Sequence, residues 1–418
     1  MPASFRLGSR FALSCGLLVL VPFSLFAGDW AQWRGPDRDG ISDEKGLLAE
    51  WPSDGPKLAW QVNDLGDGYG AVSVADGIIF LVVNEGLEDE RVKALDATTG
   101  QTLWGTRIGK VGNPDQKPDY PAARSTPTVE GEFVYVFGSD GDLACLKAKS
   151  GEVVWSKNVR TEYGGEPGIW AYSESPLVDG DKVIVTPGGE TAGIVAVDKK
   201  TGNTIWKAET PKMGAAGYAS VQKATIDGVE QYIAFMGNGV AGVNAKDGAF
   251  LWSYEGTSGT ANMATPVVSD NVVYSGGGRK GGGAFKLIAK EKELTPEELY
   301  FSPKLPSSIG GAVKVDGYLY GCGQSTLMCF DAMTGEIKWQ ERISAAASIV
   351  YADGRLYLHT EDGKVMMVTA SPEGFQLLAE FTLPGQPEGR GKEWAYPALA
   401  DGKLYLRQHG TVWVYDVK

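Results

Sequence analysis

The feature that most constrains this chain is a two-residue turn that returns eight times. It reads Asp76-Gly77, Glu130-Gly131, Asp179-Gly180, Asp227-Gly228, Asp270-Asn271, Asp316-Gly317, Asp353-Gly354 and Asp401-Gly402. Each copy lies between short β-rich runs, as between Leu177-Val178 and Val183-Ile184-Val185. In that setting Asp-Gly signals a hairpin, because a type I′ turn needs positive φ at both central residues. A second turn follows in five copies: Asp96-Ala-Thr-Thr-Gly100, Lys147-Ala-Lys-Ser-Gly151, Asp198-Lys-Lys-Thr-Gly202, Asn244-Ala-Lys-Asp-Gly248 and Asp331-Ala-Met-Thr-Gly335. Its leading Asp or Asn can accept backbone hydrogen bonds from the residues ahead, and its Gly takes the left-handed position. Four residues beyond that Gly stands Trp104, Trp155, Trp206, Trp252 or Trp339. The fifth and seventh copies are expected to use Phe301 and Phe381 there.

Each copy therefore holds four strands. In the third they are expected over 175–178, 182–186, 193–198 and 203–208. Four strands in a repeat of about 40–50 residues is the spacing of a β-propeller. Such a small sheet must bury its faces against its neighbours, and the recurrent Trp is expected to wedge between blades with its N–H satisfied. After Asp401-Gly402 the chain has only Lys403–Arg407 and Thr411–Asp416, so the last blade lacks its Trp strand. Leu58–Val62 near the N-terminus has that strand's character but no hairpin before it. The expected fold is all-β: an eight-bladed β-propeller of four-stranded antiparallel blades, its ring closed by the N-terminal strand completing the last blade. No sheet edge is then left open at the seam.

Three domain assignments follow: a signal peptide over 1–27, an N-terminal extension over 28–57 and the propeller over 58–418. Arg6 and Arg10 precede the apolar run Phe11–Ala27, and Leu25 and Ala27 suit a cleavage site before Gly28. Export to the periplasm or beyond is expected. An uncleaved anchor is the alternative, although a run broken by Pro22 is short for a span. No other membrane span is expected. The formal charge of −13 argues against nucleic acid as a partner, since phosphate binding needs a cationic face. Cys145, Cys322 and Cys329 follow the leader without close spacing. They make no disulfide framework and are expected as buried thiols.

The Ala-Leu-Asp-x-x-Thr-Gly-x-x-x-Trp pattern, seen in Ala94-Leu95-Asp96 to Trp104 and Ala196-Val197-Asp198 to Trp206, resembles the pyrroloquinoline-quinone-like propeller repeats of the quinoprotein alcohol dehydrogenase superfamily. The resemblance covers about 58–418. Trp30-Ala-Gln-Trp33-Arg34-Gly35-Pro36 and Gly217-Tyr218-Ala219-Ser220 resemble a short exported subgroup found in planctomycete-type bacteria. In the dehydrogenases the resemblance implies a quinone held over the propeller axis between a Trp and adjacent cysteines, with Ca²⁺ on Glu and Asn and an Asp base. This chain has no adjacent Cys pair and no Asp marked as a base. No cofactor is expected on that ground, and pyrroloquinoline quinone with Ca²⁺ stands as the alternative. The propeller of the outer-membrane assembly machinery, a scaffold, is the other implied relative.

In a propeller the Asp-Gly and x-Thr-Gly turns share one face, and the connections between blades lie on the other. The first set is short and uniform here; the second varies, with long stretches at 105–124, 156–174 and 382–396. Varied loops carry function more often. Just before the inner strands stand Tyr69, Arg124, Trp170, Tyr172, Glu174, Tyr218, Asn262, Trp394 and Tyr396, which are expected to ring the channel mouth as an aromatic and polar binding surface. Packing between loops is the competing account of each. Gly276–Gly283 reads as a hairpin loop or an anion-binding nest. His359 and His409 have neither metal-ligand spacing nor a nucleophile partner and are read as surface or packing residues. No catalytic or metal-binding residue is expected. A monomer is expected whose partner is an extracytoplasmic protein, a peptide or a glycan.

Overall fold

In the computed structural model, Met1 and residues 28–117, 120–290, 293–385 and 393–418 are described. The expected leader therefore lies outside the described residues. Eight four-stranded antiparallel sheets follow in sequence. The first runs Ser73–Ala75, Ile78–Asn84, Glu90–Asp96 and Thr102–Gly109, and its hairpin order is repeated through the seventh. The eighth takes Ala398–Ala400, Lys403–Gln408 and Thr411–Asp416 from the C-terminus and Lys57–Val62 from the N-terminus. The seam pairs Trp60 with Val414 and Val62 with Val412, antiparallel. The ring thus closes by strand exchange, as the orphan Trp strand predicts.

The two turn types do the work their residues suggest. Asp96 Oδ1 accepts from the backbone N–H of Thr98 and Thr99 and from the Thr99 hydroxyl, and Asp198 and Asp331 do the same in their blades. The hairpin turns divide into two kinds. Asp76-Gly77, Asp227-Gly228, Asp316-Gly317, Asp353-Gly354 and Asp401-Gly402 have positive φ at both residues, the I′ pattern. In blades two and three the pairing Glu130–Phe133 and Asp179–Lys182 makes Gly131 and Gly180 the first central residues, and in each turn only that Gly has positive φ.

The Trp strands join adjacent blades. Trp60, Trp104 and Trp155 donate their indole N–H to the carbonyls of Ala97, Ala148 and Lys199 in the next blade, at 2.9–3.1 Å. Each ring covers the Gly of that blade's second turn; a Cβ on Gly151 would lie 2.5 Å from the Trp104 ring. The fifth and seventh blades differ from the expected Phe301 and Phe381. Tyr300, not Phe301, stands opposite Ala284 where Trp104 stands opposite Ala94, and its hydroxyl donates to Ala332 at 2.9 Å. In blade seven that position is Ala379, while Phe381 packs edge-on to Trp51 and Tyr415. Both Phe readings fail because neither blade carries the Asp-x-x-Thr-Gly turn that sets the Trp spacing in the others. Blade five also extends its outer hairpin to Gly281–Lys290 and Glu293–Ser302, which removes the second turn. Trp252 then donates to Gln231 of its own blade, at 2.7 Å.

The extension at 28–57 enters the channel. It starts beside Asp401 on the Asp-Gly face, bridges Trp30 to Val74 of blade one with an N–H donated each way, and accepts at Ala31 from the Val129 N–H of blade two. Ile41–Ser42 then adds a parallel strand to the inner edge of blade seven. The segment leaves beside blades seven and eight, where Leu47 N–H meets Asp353 and Glu44 accepts from Gly402. Between these points Arg34 and Arg38 adopt left-handed φ of 61° and 58° and bury their guanidiniums. Arg38 donates to the carbonyls of Ser175, Pro176 and Val221, and Arg34 to those of Asp39 and Ala312. One short segment thus ties inner strands of several blades together and stops the channel from the Asp-Gly side.

A candidate binding site at the channel mouth

Above this plug, on the face opposite the Asp-Gly turns, the blades enclose a cavity of about 630 Å³. That volume falls within the roughly 300–1,000 Å³ typical of small-ligand sites. Its lining includes Trp33 from the plug and residues from the connections between blades, with Arg279, Gln324, Ser325 and Glu361 from hairpin turns on the same face.

Six of the nine residues expected at the mouth line this cavity: Tyr69, Arg124, Trp170, Tyr218, Trp394 and Tyr396. Tyr172, Glu174 and Asn262 do not. The Tyr172 hydroxyl donates to the Pro187 carbonyl at 2.8 Å and its ring packs on Phe137. Glu174, 3% exposed, accepts from the Thr186 N–H, and burial pushes its carboxyl up to about 7. Asn262 donates to Met236 and Gly237 carbonyls and accepts from Gly259 N–H. These three brace the loops instead of facing the cavity, because each buried polar side chain there finds an orphan backbone group to satisfy.

The loop carrying Trp170 shows how the two roles separate. Asn158 caps the short helix Val159–Tyr163, and Gly164 ends it with φ of 67°. Ala171 then takes φ of 66°, with its N–H bonded to Gly168. Across that residue Trp170 meets the cavity and Tyr172 is buried. Asn113 from the preceding long loop donates to the Gly168 carbonyl and fixes the two loops to each other.

Two aromatic walls result. Tyr69 and Trp394 lie 4.6 Å apart between centroids, with Tyr120 against Trp394; across the cavity Trp170 pairs with Tyr218 at 5.6 Å. The Arg124 guanidinium sits 5.3 Å from both the Tyr69 and Trp394 rings. It donates to Gln116 and to the Tyr120 carbonyl, while its Nε is buried without a partner. Burial lowers its pKa to about 10, which leaves it charged at neutral pH. Burial also raises the Tyr69 and Tyr396 hydroxyls to about 12, so both stay neutral donors. Trp33 meets Tyr396 edge-on at 5.5 Å and is flanked by the Arg34 and Arg38 guanidiniums at 5.4 and 5.7 Å. Trp394 Nε1 donates to Glu361, the one carboxylate in the lining among the described residues, at 2.8 Å.

Trp33, Tyr120 and Glu361 carry no site signal in the sequence, and Arg279 enters only through the Gly-rich stretch read as a hairpin loop or an anion-binding nest. The first is delivered by a segment with no repeat signature, although its paired aromatics are visible in the motif at 30–36. Arg279 belongs to the Gly-rich stretch, which forms a turn between Val272–Gly277 and Gly281–Lys290. His359 and His409 are both buried. His409 underlies the wall, 5.2 Å from the Tyr69 ring, with Nδ1 at 2.7 Å from Asp67 and Nε2 at 3.2 Å from Glu393.

A family model described as outer membrane protein assembly factor BamB matches residues 88–341 and, again, 301–374. The chain belongs to this family of pyrroloquinoline-quinone-like propellers. It is 26% identical over 250 residues to the outer membrane protein assembly factor BamB of Yersinia pestis, covering 54% of this chain and 58% of that protein. It is 30% identical over 159 residues to the dehydrogenase subunit of the quinone alcohol dehydrogenase of Komagataeibacter europaeus, covering 36% of this chain and 21% of that protein. The chain therefore spans less than two thirds of either relative. The crystal structure of the quinohemoprotein alcohol dehydrogenase of Comamonas testosteroni superposes with a TM-score of 0.69 at 15% identity, over 93% of this chain and 80% of that one. At that identity the likeness is one of fold.

The quinone site implied by the dehydrogenases does not match the residues present. Cys145, Cys322 and Cys329 are buried and unpaired, and none lines the cavity. Among the described residues no group of His, Cys, Asp and Glu is arranged to hold a metal ion. The single lining carboxylate is engaged with an indole.

Proposed function

We propose that this chain is an exported, non-catalytic binding propeller whose channel-mouth cavity takes a small ring-bearing ligand of the saccharide type. The observation that carries this reading is the clustering of aromatics. Trp33, Tyr69, Trp170, Tyr218 and Trp394 converge on one enclosed space from distant parts of the sequence. Flat apolar faces with hydroxyls and amides between them suit the alternating C–H and O–H surface of a sugar ring. Thr126, Ser173, Ser220, Ser307 and Ser325 supply those hydroxyls.

Binding is favoured over turnover because the lining is rich in stacking and donor groups and its one carboxylate is committed to Trp394. Placement outside the cytoplasm rests on Arg6, Arg10 and the apolar run to Ala27, together with kinship to outer-membrane assembly factors. No helix among the described residues is long and apolar enough to cross a membrane. That kinship also supports a second reading, in which the same face docks an extracytoplasmic protein or peptide. The two separate by size of ligand.

The test is a titration of residues 28–418 with neutral and acidic di- to tetrasaccharides, followed by tryptophan fluorescence and calorimetry. Saturable binding that Trp170→Ala abolishes, with the melting temperature nearly unchanged, is expected. Failure of every saccharide to bind, or binding that survives Trp170→Ala and fails when the Asp-Gly turns are altered, overturns the proposal.

A further inference from the structure

We infer that the cavity selects an anionic saccharide, one that carries a ring carboxylate, and that Arg124 receives that carboxylate. The inference rests on the saccharide reading above and narrows it.

The chain as a whole is strongly acidic, at −13, yet the cavity is built around arginines. Arg34 and Arg38 are 1% and 2% exposed and lie 5.4 and 5.7 Å from the ring of Trp33, which lines the cavity. Their hydrogen bonds go to carbonyl oxygens and to the Gln32 amide, which leave the charge in place, and Arg34 Nε is buried without a partner. A buried cation without a counter-charge is costly, and the cost falls when an anion comes close. Asp39 near Arg34 and Glu174 near Arg38 offset part of that cost, although Glu174 itself accepts from the Thr186 backbone and burial pushes its carboxyl up to about 7.

Arg124 extends the same pattern into the wall. It pairs with no described carboxylate, and its buried Nε has no acceptor. Tyr69 and Trp394 hold its plane by cation–π contact, so its rotamer is set before a ligand arrives. A guanidinium presented in this way can offer a carboxylate paired N–H donors. Arg279 lines the cavity from the blade-five turn, with no described hydrogen bond or ion pair of its own. Among the described residues, two arginines therefore border a space in which Glu361, tied to Trp394, is the only acid. A neutral sugar would leave this field unanswered, whereas a uronate places its carboxylate at Arg124 and its ring against the aromatic faces.

The probes are digalacturonate, its methyl ester and the matching neutral disaccharide, titrated against residues 28–418 by calorimetry at neutral pH. Digalacturonate should bind about 10–100-fold more tightly than its ester, the range expected of a charge-assisted hydrogen bond in a partly buried site. Arg124→Gln should remove most of that preference, measured as the ratio of acid to ester affinity within the variant. Arg279→Gln, on a turn without partners, serves as the variant that cannot disturb the fold and should reduce the preference by a smaller factor. Equal binding of acid and ester overturns the anionic inference and leaves the saccharide reading standing. Absence of binding by all three overturns both. A preference for the acid that persists in both variants overturns the assignment to Arg124.

Discussion

Trp60 Nε1 donates to the Ala97 carbonyl at 3.1 Å, and the same indole covers Gly100, where an added Cβ would lie 2.9 Å from the ring. The contact crosses from blade eight to blade one, and it repeats from Trp104 to Gly151 and from Trp155 to Gly202. Each Gly is needed twice, for a left-handed backbone and for the indole lying against it. That double demand explains why Gly and Trp recur together in the repeat.

Gly151→Ala should therefore cost more than Gly180→Ala. Both positions have positive φ, at 69° and 60°, so both variants incur backbone strain of about 1–2 kcal/mol. Only Gly151 also meets a ring, which adds an overpacking cost of about 1–3 kcal/mol. Urea denaturation of the two variants measures the difference. Equal losses would show that the indole moves aside freely.

Arg38→Ala tests the plug. The change removes donors from the Ser175, Pro176 and Val221 carbonyls and takes the cation from beside Trp33. A loss of about 1–3 kcal/mol is expected, the cost of leaving buried acceptors unpaired. A loss below about 1 kcal/mol, within the range of an ordinary single hydrogen bond, would mean that water replaces the guanidinium.

The ring, its blade count and its closure are legible in the sequence because they rest on local chemistry. Asp-Gly and Asp-x-x-Thr-Gly act through their own backbone, and Trp follows at fixed spacing. The seam is readable because Lys57–Val62 has the outer strand's residues without its hairpin. What is not legible depends on register and on chain crossing. Blade five lacks the turn that sets the Trp spacing, so only its strand pairing shows that Tyr300 and not Phe301 forms the wedge. Whether a residue before an inner strand faces the cavity or a neighbouring loop depends on one backbone angle, as at Ala171 between Trp170 and Tyr172. Trp33 is hidden because only the folded ring shows where the extension goes.

Asn262→Ala should separate scaffold from site. Its side chain holds Met236, Gly237 and Gly259 and does not line the cavity. Truncation should cost about 1–3 kcal/mol by leaving buried backbone groups unpaired. Ligand affinity of the folded fraction should stay within about threefold of the parent, less than one hydrogen bond is worth. A large affinity loss at unchanged stability would return Asn262 to the site.

The last prediction concerns pH. His409 is buried beneath the Tyr69 wall, with Asp67 on Nδ1 and Glu393 facing Nε2. Burial alone would lower its pKa, but hydrogen bonding and charge from Asp67 and Glu393 outweigh it and raise the imidazolium to about 9. Arg407, also buried close by, donates its Nε to the His409 carbonyl. The folded state thus binds the His409 proton more tightly than the unfolded chain, whose histidine titrates near ~6.5. Its contribution is full below that value and is lost as pH rises through about 9. Stability should therefore fall between neutral pH and pH ~10 by about 1–3 kcal/mol more in the parent than in His409→Gln. Glu90, which burial raises to about 8, also titrates on this path, but it does so in both proteins and cancels in the difference. Paired denaturation curves at several pH values give the measurement. Parallel pH profiles for the two proteins would show that His409 is neutral in the fold and that the Asp67–His409–Glu393 cluster is not held by charge.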